Sequence, residues 1–128
     1  YAIINDGDLP DSGQIDLPIG RRDDSIIERQ VRFDEKSKNA LTSYVVTERK
    51  NDLALLDIIL HTGRTHQIRV HFSHLGYPLV GDDLYGGNHD LISRQALHCH
   101  HLQFLNPFTD EMVHVELDMP EDMKNLLK

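Results

Sequence analysis

The chain has 128 residues, 39% of them hydrophobic, a formal net charge of −8 and one cysteine. This length supports one domain with its own core and excludes two, and no apolar run approaches the roughly 20 residues that span a bilayer. The charge argues against a broadly basic surface without excluding a local one, and the lone Cys99 excludes an internal disulfide and predicts a reducing, cytoplasmic setting.

Short strands and turns are predicted over the first 38 residues. Tyr1–Ile4 has the apolar character of a strand, and Gln14–Leu17 that of a short extended segment. Pro18–Asp24 is predicted as a loop, because it ends in two basic residues against two acidic ones. Ser25–Lys38 lacks a clean period and is predicted as irregular, with a strand around Gln30–Phe33.

A hairpin is predicted in the middle of the chain. Ala40–Arg49 is predicted as a strand whose successive residues alternate between two faces, with Leu41, Ser43, Val45 and Thr47 on one and Thr42, Tyr44 and Val46 on the other. Lys50–Asp52 has the composition of a turn. Leu53–His61 is apolar enough to predict a strand that is buried on both faces.

A turn and a helix follow the hairpin. Gly63 frees the backbone for a tight turn, Arg64 follows it, and Thr65 is placed to cap a helix. Gly76 and Pro78 predict where that helix ends. Apolar residues fall at i, i+4 and i+7 in between: Ile68, Phe72 and Leu75.

The same segment has a local excess of basic side chains. No acidic residue lies between Ile58 and Gly81. Two arginines and four histidines do: Arg64, Arg69, His61, His66, His71 and His74. A helix N-terminus favours anions, so this is where a phosphate or carboxylate is predicted to bind.

The C-terminal third completes the fold prediction. Asn88–Gln95 is polar and predicted as a loop or short helix, Leu97–Leu105 and Met112–Leu117 as paired strands, and Pro120–Leu127 as a helix with Pro at its first position. The elements together predict an α+β domain over residues 1–128, with a mixed, mainly antiparallel sheet and two or three short helices.

Several short motifs run in order along the chain. They are PIGR at 18–21, KNALTSY at 38–44, GRTHQIR at 63–69, GYPL at 76–79, GDDLYG at 81–86, ALH at 96–98 and FLNP at 104–107. This series resembles the pseudouridine synthases of the large-ribosomal-subunit type, which isomerise uridine in structured RNA; the family usually has His where Asn106 stands. The resemblance implies ribosomal RNA as partner, target-base flipping, and no metal or other cofactor.

The resemblance also shows what this chain does not contain. The family's nucleophile is an aspartate in an H-R-L-D-x-x-T-S-G loop, and no such motif occurs here. The family's active-site tyrosine, in a K-x-Y-x-A pattern, would fall one residue before Tyr1. The chain is therefore expected to be the C-terminal part of the catalytic domain and to be inactive alone.

Arg64 is the candidate catalytic residue. The resemblance implies that it orients the aspartate; the alternative is a surface arginine that binds neighbouring carbonyl groups. Arg69 is expected to bind RNA phosphate or a structural carboxylate such as Asp82. The candidate RNA-binding residues are Arg21, Arg22, Thr65, His66, Gln67 and Arg69.

The remaining polar clusters have alternative interpretations. His98 and His100 would share a strand face as half of a zinc site, with Cys99 on the other face, but satisfied histidines are the favoured interpretation and no metal is predicted. Asp82 and Asp83 are expected to bind backbone N–H groups of their turn, and Tyr85 to pack on the helix. A non-catalytic RNA-binding module and a histidine-rich metal-binding protein remain as rival functions.

Overall fold

The computed structural model describes residues 1–25 and 27–128. Within these ranges the elements are β1 (Ala2–Asn5), β2 (Ser12–Asp16), β3 (Ile19–Arg21), β4 (Arg29–Val31), β5 (Leu41–Lys50), β6 (Leu53–Leu60), α1 (Gln67–His74), β7 (His101–Leu105), β8 (Met112–Glu116) and α2 (Glu121–Leu126). A 3₁₀ turn over Asp83–Tyr85 lies between α1 and β7.

The strands form one central sheet and two separate hairpins. The sheet has the order β1-β6-β5-β2, and the hairpins are β3–β4 and β7–β8. Every strand pair in the described ranges is antiparallel. The predicted α+β fold with a mainly antiparallel sheet is confirmed.

The β5–β6 hairpin forms the centre of the sheet, as predicted. At its turn, Asn51 and Asp52 have φ values of 57° and 60°, which suit the mirror-image two-residue turn of a twisted hairpin. Thr42 and Tyr44 are buried on one face of β5, whereas Val45 on the other is 52% exposed. The predicted division of this strand into two faces is confirmed, and the structure shows that the face of Thr42 and Tyr44 is the buried one.

Burial of β6 on both faces is confirmed only for its first half. Leu53 and Leu55 pack with Met123 of α2 on one face. Ala54 and Leu56 pack with residues that include Phe72 of α1 on the other. Ile59 and Leu60 lie beyond this packing and remain 62% and 49% exposed, so the prediction is wrong for that end of the strand.

The start of α1 differs from the prediction. His66 adopts a left-handed φ of 57° at the N-cap position, and no side chain caps the helix. Thr65 therefore precedes the helix, and its predicted capping role is wrong. Gly76, at φ 90°, ends α1 as predicted, because its left-handed conformation directs its N–H to Ser73 O (3.0 Å).

The hairpin β3–β4 corrects the predicted loop at Pro18–Asp24. Ile19 is buried and packs with Val70 of α1, a tertiary contact that local composition does not reveal. β4 lies at the start of the strand predicted around Gln30–Phe33. Ile26, within the segment predicted as irregular, lies outside the described residues.

The C-terminal elements differ from the prediction at their starts. β7 begins at His101 rather than Leu97, because Leu97 bridges to Ala2 and the His98 N–H donates to Tyr1 O (2.8 Å). Leu97 and His98, the first residues of the predicted strand, therefore bond to Ala2 and Tyr1 instead of belonging to β7. Pro120 is the N-cap of α2 rather than its first helical residue.

Candidate functional site

A basic cleft of about 320 Å³ lies between the β3–β4 hairpin and the loop that precedes α1. Its lining residues are Ile19, Gly20, Arg21, Arg29, Lys36, Lys38, Gly63, Arg64 and Thr65. Five of these side chains are cationic and none is acidic. In a chain with a net charge of −8, this is a local reversal of sign.

The cations of the cleft differ from those elsewhere because most have no acidic partner among the described residues. Seven of the thirteen Lys and Arg side chains form ion pairs: Arg22, Arg32, Lys36, Arg49, Arg69, Arg94 and Lys124. Of the six that form none within the described residues, four line the cleft: Arg21, Arg29, Lys38 and Arg64. Unneutralised positive charge is therefore concentrated at one place on the surface.

The wall of the cleft depends on a close backbone approach at Gly20. A Cβ atom there would lie 2.8 Å from the Lys36 carbonyl oxygen and 2.6 Å from Cδ of Arg32. Lys38 continues this contact, since its backbone exchanges two hydrogen bonds with Ile19, both 2.9 Å long. Glycine thus allows the Lys36–Lys38 segment to lie directly against β3.

Arg64 is held at one side of the cleft by its inner atoms. Its Nε donates to Asn39 O (2.8 Å), and its backbone N–H donates to Gln67 Oε1 (3.0 Å). Within the described residues, the two terminal nitrogens of the guanidinium have no hydrogen-bond partner. The alternative prediction, an arginine bonded to a neighbouring carbonyl group, is therefore correct for Nε of Arg64. The two terminal nitrogens are available to an anion.

Gln67 connects Arg64 to the interior. Its side-chain Nε2 donates to Leu41 O (3.0 Å) and Thr42 Oγ1 (2.9 Å), and its Oε1 accepts from Thr62 Oγ1 (2.7 Å) as well as from Arg64. The side chain is only 3% exposed. Both donors and the acceptor of Gln67 are thus used within the chain, and the residue supports the cleft from behind.

His71 completes this buried network in its neutral form. Its Nε2 donates to Leu17 O (2.8 Å), so its Nδ1 must accept the hydrogen of Thr42 Oγ1 (2.8 Å). Complete burial lowers the pKa of His71 below its ordinary value, and the nearby His74 adds to this. A hydrogen-bonded path of neutral groups therefore runs from Leu17 to the backbone of Arg64.

Tyr85 joins the two walls of the cleft. Its hydroxyl accepts from the Arg29 backbone N–H (2.9 Å) and is hydrogen-bonded to Nδ1 of His66 (2.6 Å). Burial lowers the pKa of His66, and the cations Arg69 and Arg29 lower it further, which favours the neutral ring. The hydroxyl thus ties β4 to the N-cap of α1.

Arg69 lies in a second site, next to the Tyr85 ring, and this site is closed because a carboxylate already occupies it. Its Nε and Nη2 donate to the two carboxylate oxygens of Asp82, both at 2.8 Å, and its guanidinium lies 5.0 Å from the centre of the Tyr85 ring. Of the two roles expected for Arg69, the structure shows the ion pair with Asp82. The expectation that the Asp82 carboxylate binds its own turn is wrong, because Arg69 takes both oxygens; the expected packing of Tyr85 is confirmed.

The predicted RNA-binding residues occupy different environments. Arg21 and Thr65 line the cleft. Arg22, next to Arg21, instead forms ion pairs with Asp24 and Glu28. Sequence reasoning missed three cleft residues, Arg29, Lys36 and Lys38. The i, i+2 spacing of the two lysines was the one available signal, since such residues share a face of an extended segment.

The histidine-rich segment before β7 is not arranged around a metal. His100 stacks on Tyr1 with ring centres 3.8 Å apart, and its Nε2 lies 2.9 Å from the Asp57 carboxylate. In residues 1–25 and 27–128, no three His, Cys, Asp or Glu side chains come together so as to hold a metal ion. None of the helices in these ranges is long and apolar enough to cross a membrane.

Comparison with known proteins identifies relatives along the whole chain. An uncharacterized RNA pseudouridine synthase of Bacillus subtilis is 47% identical over all of this chain and 45% of its own length. The ribosomal large subunit pseudouridine synthase D of Zymomonas mobilis is 38% identical over all of this chain and 43% of its own length. The chain thus spans less than half the length of these relatives.

Solved structures and the family model agree with these relatives. Human RNA pseudouridylate synthase domain containing 1 superposes with a TM-score of 0.77 at 31% identity, over 91% of this chain and 52% of that one. Human RNA pseudouridylate synthase domain containing 4, at 23% identity and a TM-score of 0.73, supports the fold. The model of the RNA pseudouridylate synthase family matches residues 1–74. The chain therefore belongs to the RNA pseudouridylate synthase family.

Proposed function

We propose that the full-length protein that contains this chain converts uridine to pseudouridine in structured RNA, with ribosomal RNA as its substrate. The observation that carries the proposal is the place of Arg64. This residue of the GRTHQIR motif lies in the basic cleft, with its inner nitrogen anchored and its outer nitrogens available to an anion. Relatives named for the ribosomal large subunit support the choice of RNA.

The proposed role of Arg64 is to orient an aspartate nucleophile. Because Nε is bonded to Asn39 O, a carboxylate would bind end-on, with one oxygen on each terminal nitrogen. A neighbouring guanidinium lowers the pKa of such a carboxyl group and keeps it ionised for attack. No acidic residue in the described part of this chain lines the cleft, so the nucleophile would come from a part of the protein that carries an H-R-L-D motif.

The other features fit this chemistry without a cofactor. In the family scheme the aspartate attacks the target nucleoside, and the base is detached, rotated and rejoined through carbon, so neither metal nor redox group takes part. The exposed, unpaired Cys99 suits a reducing compartment, and we place the activity in the cytoplasm.

A rival function is a non-catalytic RNA-binding module, and the absence of any carboxylate from the cleft lining favours it. One experiment separates the two. Ribosomal RNA is incubated with the full-length protein or with residues 1–128 alone, and pseudouridine is measured by mass spectrometry of the released nucleosides. We expect product from the full-length protein only. RNA binding without product from either protein would support the rival, and turnover by residues 1–128 alone would contradict the assigned roles.

A further inference from the structure

The basic cleft contains more positive charge than an aspartate would neutralise. If Arg64 binds one carboxylate, three cations without an acidic partner remain in the cleft, and Lys36 adds a fourth that is paired only with exposed Asp23 (3.4 Å). We propose that these cations bind the sugar-phosphate backbone of the RNA, with Arg21, Arg29 and Lys38 in contact with phosphate oxygens. The identity of the polyanion rests on the proposed function.

The strongest sign of an anion is the position of the two arginines. Arg21 and Arg29 are direct partners in the register of β3 and β4, so their side chains leave the hairpin on the same face. Like charges directly opposite each other on a hairpin repel. A phosphate between the two guanidinium groups would turn this repulsion into a pair of charge-assisted hydrogen bonds.

The lining of the cleft favours a backbone over a base. The charged side chains of the lining donate hydrogen bonds only, and phosphate oxygens are matching acceptors. Among the lining residues there is no aromatic ring on which a base could stack, and the single large apolar side chain, Ile19, is buried. Contacts of this kind position an RNA strand and do not read its sequence.

The distance between the two walls is set by Tyr85. Its hydroxyl bonds the backbone of Arg29 on one wall and the ring of His66, adjacent to Thr65, on the other. We therefore assign Tyr85 as a positioning residue for the phosphate site. It does not line the cleft, and its ring is held separately by Arg69.

Adjacent arginines provide a matched test of the site. Arg21→Ala and Arg22→Ala change the net charge of the full-length protein equally, but only Arg21 lines the cleft, whereas Arg22 is bound to Asp24 and Glu28. Binding of a labelled single-stranded oligoribonucleotide is titrated at several salt concentrations. For Arg21→Ala we expect an affinity about fivefold to tenfold lower and a salt slope smaller by about 0.7; for Arg22→Ala, a change within about twofold.

Two further variants test the same site. Lys38→Ala should behave like Arg21→Ala, with Lys50→Ala, an exposed lysine outside the cleft, as its control. Tyr85→Phe should lower affinity a few-fold with an unchanged salt slope, because every cation remains and only the spacing of the walls is lost. Equal effects of Arg21→Ala and Arg22→Ala would overturn the phosphate site. An affinity insensitive to Tyr85→Phe would overturn the positioning role of Tyr85.

Pseudouridine formation, measured on the same preparations, separates this inference from the proposed function. If Arg21→Ala weakens binding selectively but the wild-type protein makes no pseudouridine, the phosphate site stands and the proposed enzyme activity fails. If the wild-type protein is active and the two arginine variants bind RNA equally well, the activity stands and the phosphate site is refuted.

Discussion

Two arginines of one motif occupy opposite kinds of site: Arg69 lies in the closed site, paired with Asp82, and Arg64 lies in an open site, the basic cleft. Arg69 donates to both oxygens of Asp82, whose carboxylate is fully buried, and lies against the Tyr85 ring. Arg64, five residues earlier, uses Nε for a backbone carbonyl and directs its terminal nitrogens to a cleft with no acid. The residue type is the same in both, and the local partners separate a cation that is paired with a carboxylate from one that faces the basic cleft.

The largest expected effect is on catalysis at the open site. Arg64→Ala should lower the rate of pseudouridine formation by the full-length protein about 100-fold to 1,000-fold, since it removes the cation that would orient the nucleophile. Arg64→Lys should also fail, because one ammonium group cannot bind two carboxylate oxygens in the same plane. The melting temperature should change little, since only the bond to Asn39 O is lost. Near-normal turnover, or unfolding, would break the comparison.

The closed site should show the opposite response. Arg69→Ala leaves the buried Asp82 carboxylate without its partner, and breaking such a pair costs about 3–5 kcal/mol of unfolding free energy. Denaturant titration measures this loss, with Arg22→Ala, a more exposed ion pair, as the control that should change little. An Arg69→Ala protein that keeps its stability but loses activity would mean that Arg69, too, acts on the substrate.

Gln67 provides an intermediate case, because it supports the open site from the interior. Gln67→Glu keeps the shape of the side chain but cannot donate to Leu41 O and Thr42 Oγ1, and it should cost about 1–3 kcal/mol of stability. Since the backbone of Arg64 is bonded to the same side chain, we also expect a lower kcat with little change in RNA affinity. Thr65→Ala, which removes an exposed side chain, is the control for stability. A stability loss with unchanged kcat would restrict Gln67 to a structural role.

The open and closed sites were not equally predictable from the sequence. The β5–β6 hairpin and the end of α1 follow from alternation and from the turn residues Asn51, Asp52 and Gly76, which act locally. The pairing of Arg69 with Asp82 is one of the two roles that the sequence predicts for Arg69. Local signals therefore supplied the sheet centre and part of the closed site.

The cleft was not predictable because tertiary contacts assemble it. The sequence predicts a loop at Pro18–Asp24, so it does not distinguish Arg21 from Arg22 and predicts that both bind RNA. The strand forms because Ile19 is buried against Val70, far away in the sequence. Arg29 and Lys38 then join the cleft through backbone pairing with β3, which charge and spacing alone do not encode.

The smallest effect is a pH dependence that His71 gives to the interior behind the open site. The imidazole has a pKa near 6.5 when unfolded, and burial lowers its pKa in the native chain, against the opposing effects of Leu17 O and Asp16. Between those two values the unfolded chain binds the proton better. The contribution of His71 to the free energy of unfolding is thus constant above about pH 6.5 and decreases on acidification, by at most about 1.4 kcal/mol per pH unit.

Urea titrations from pH 7.5 to 5 should show this decrease. The His71→Gln protein should be less stable at neutral pH but should lose less stability on acidification. The pH dependence that remains would come from His66, whose pKa is also lowered by burial. Identical pH dependences in the two proteins would mean that His71 does not titrate within the buried network.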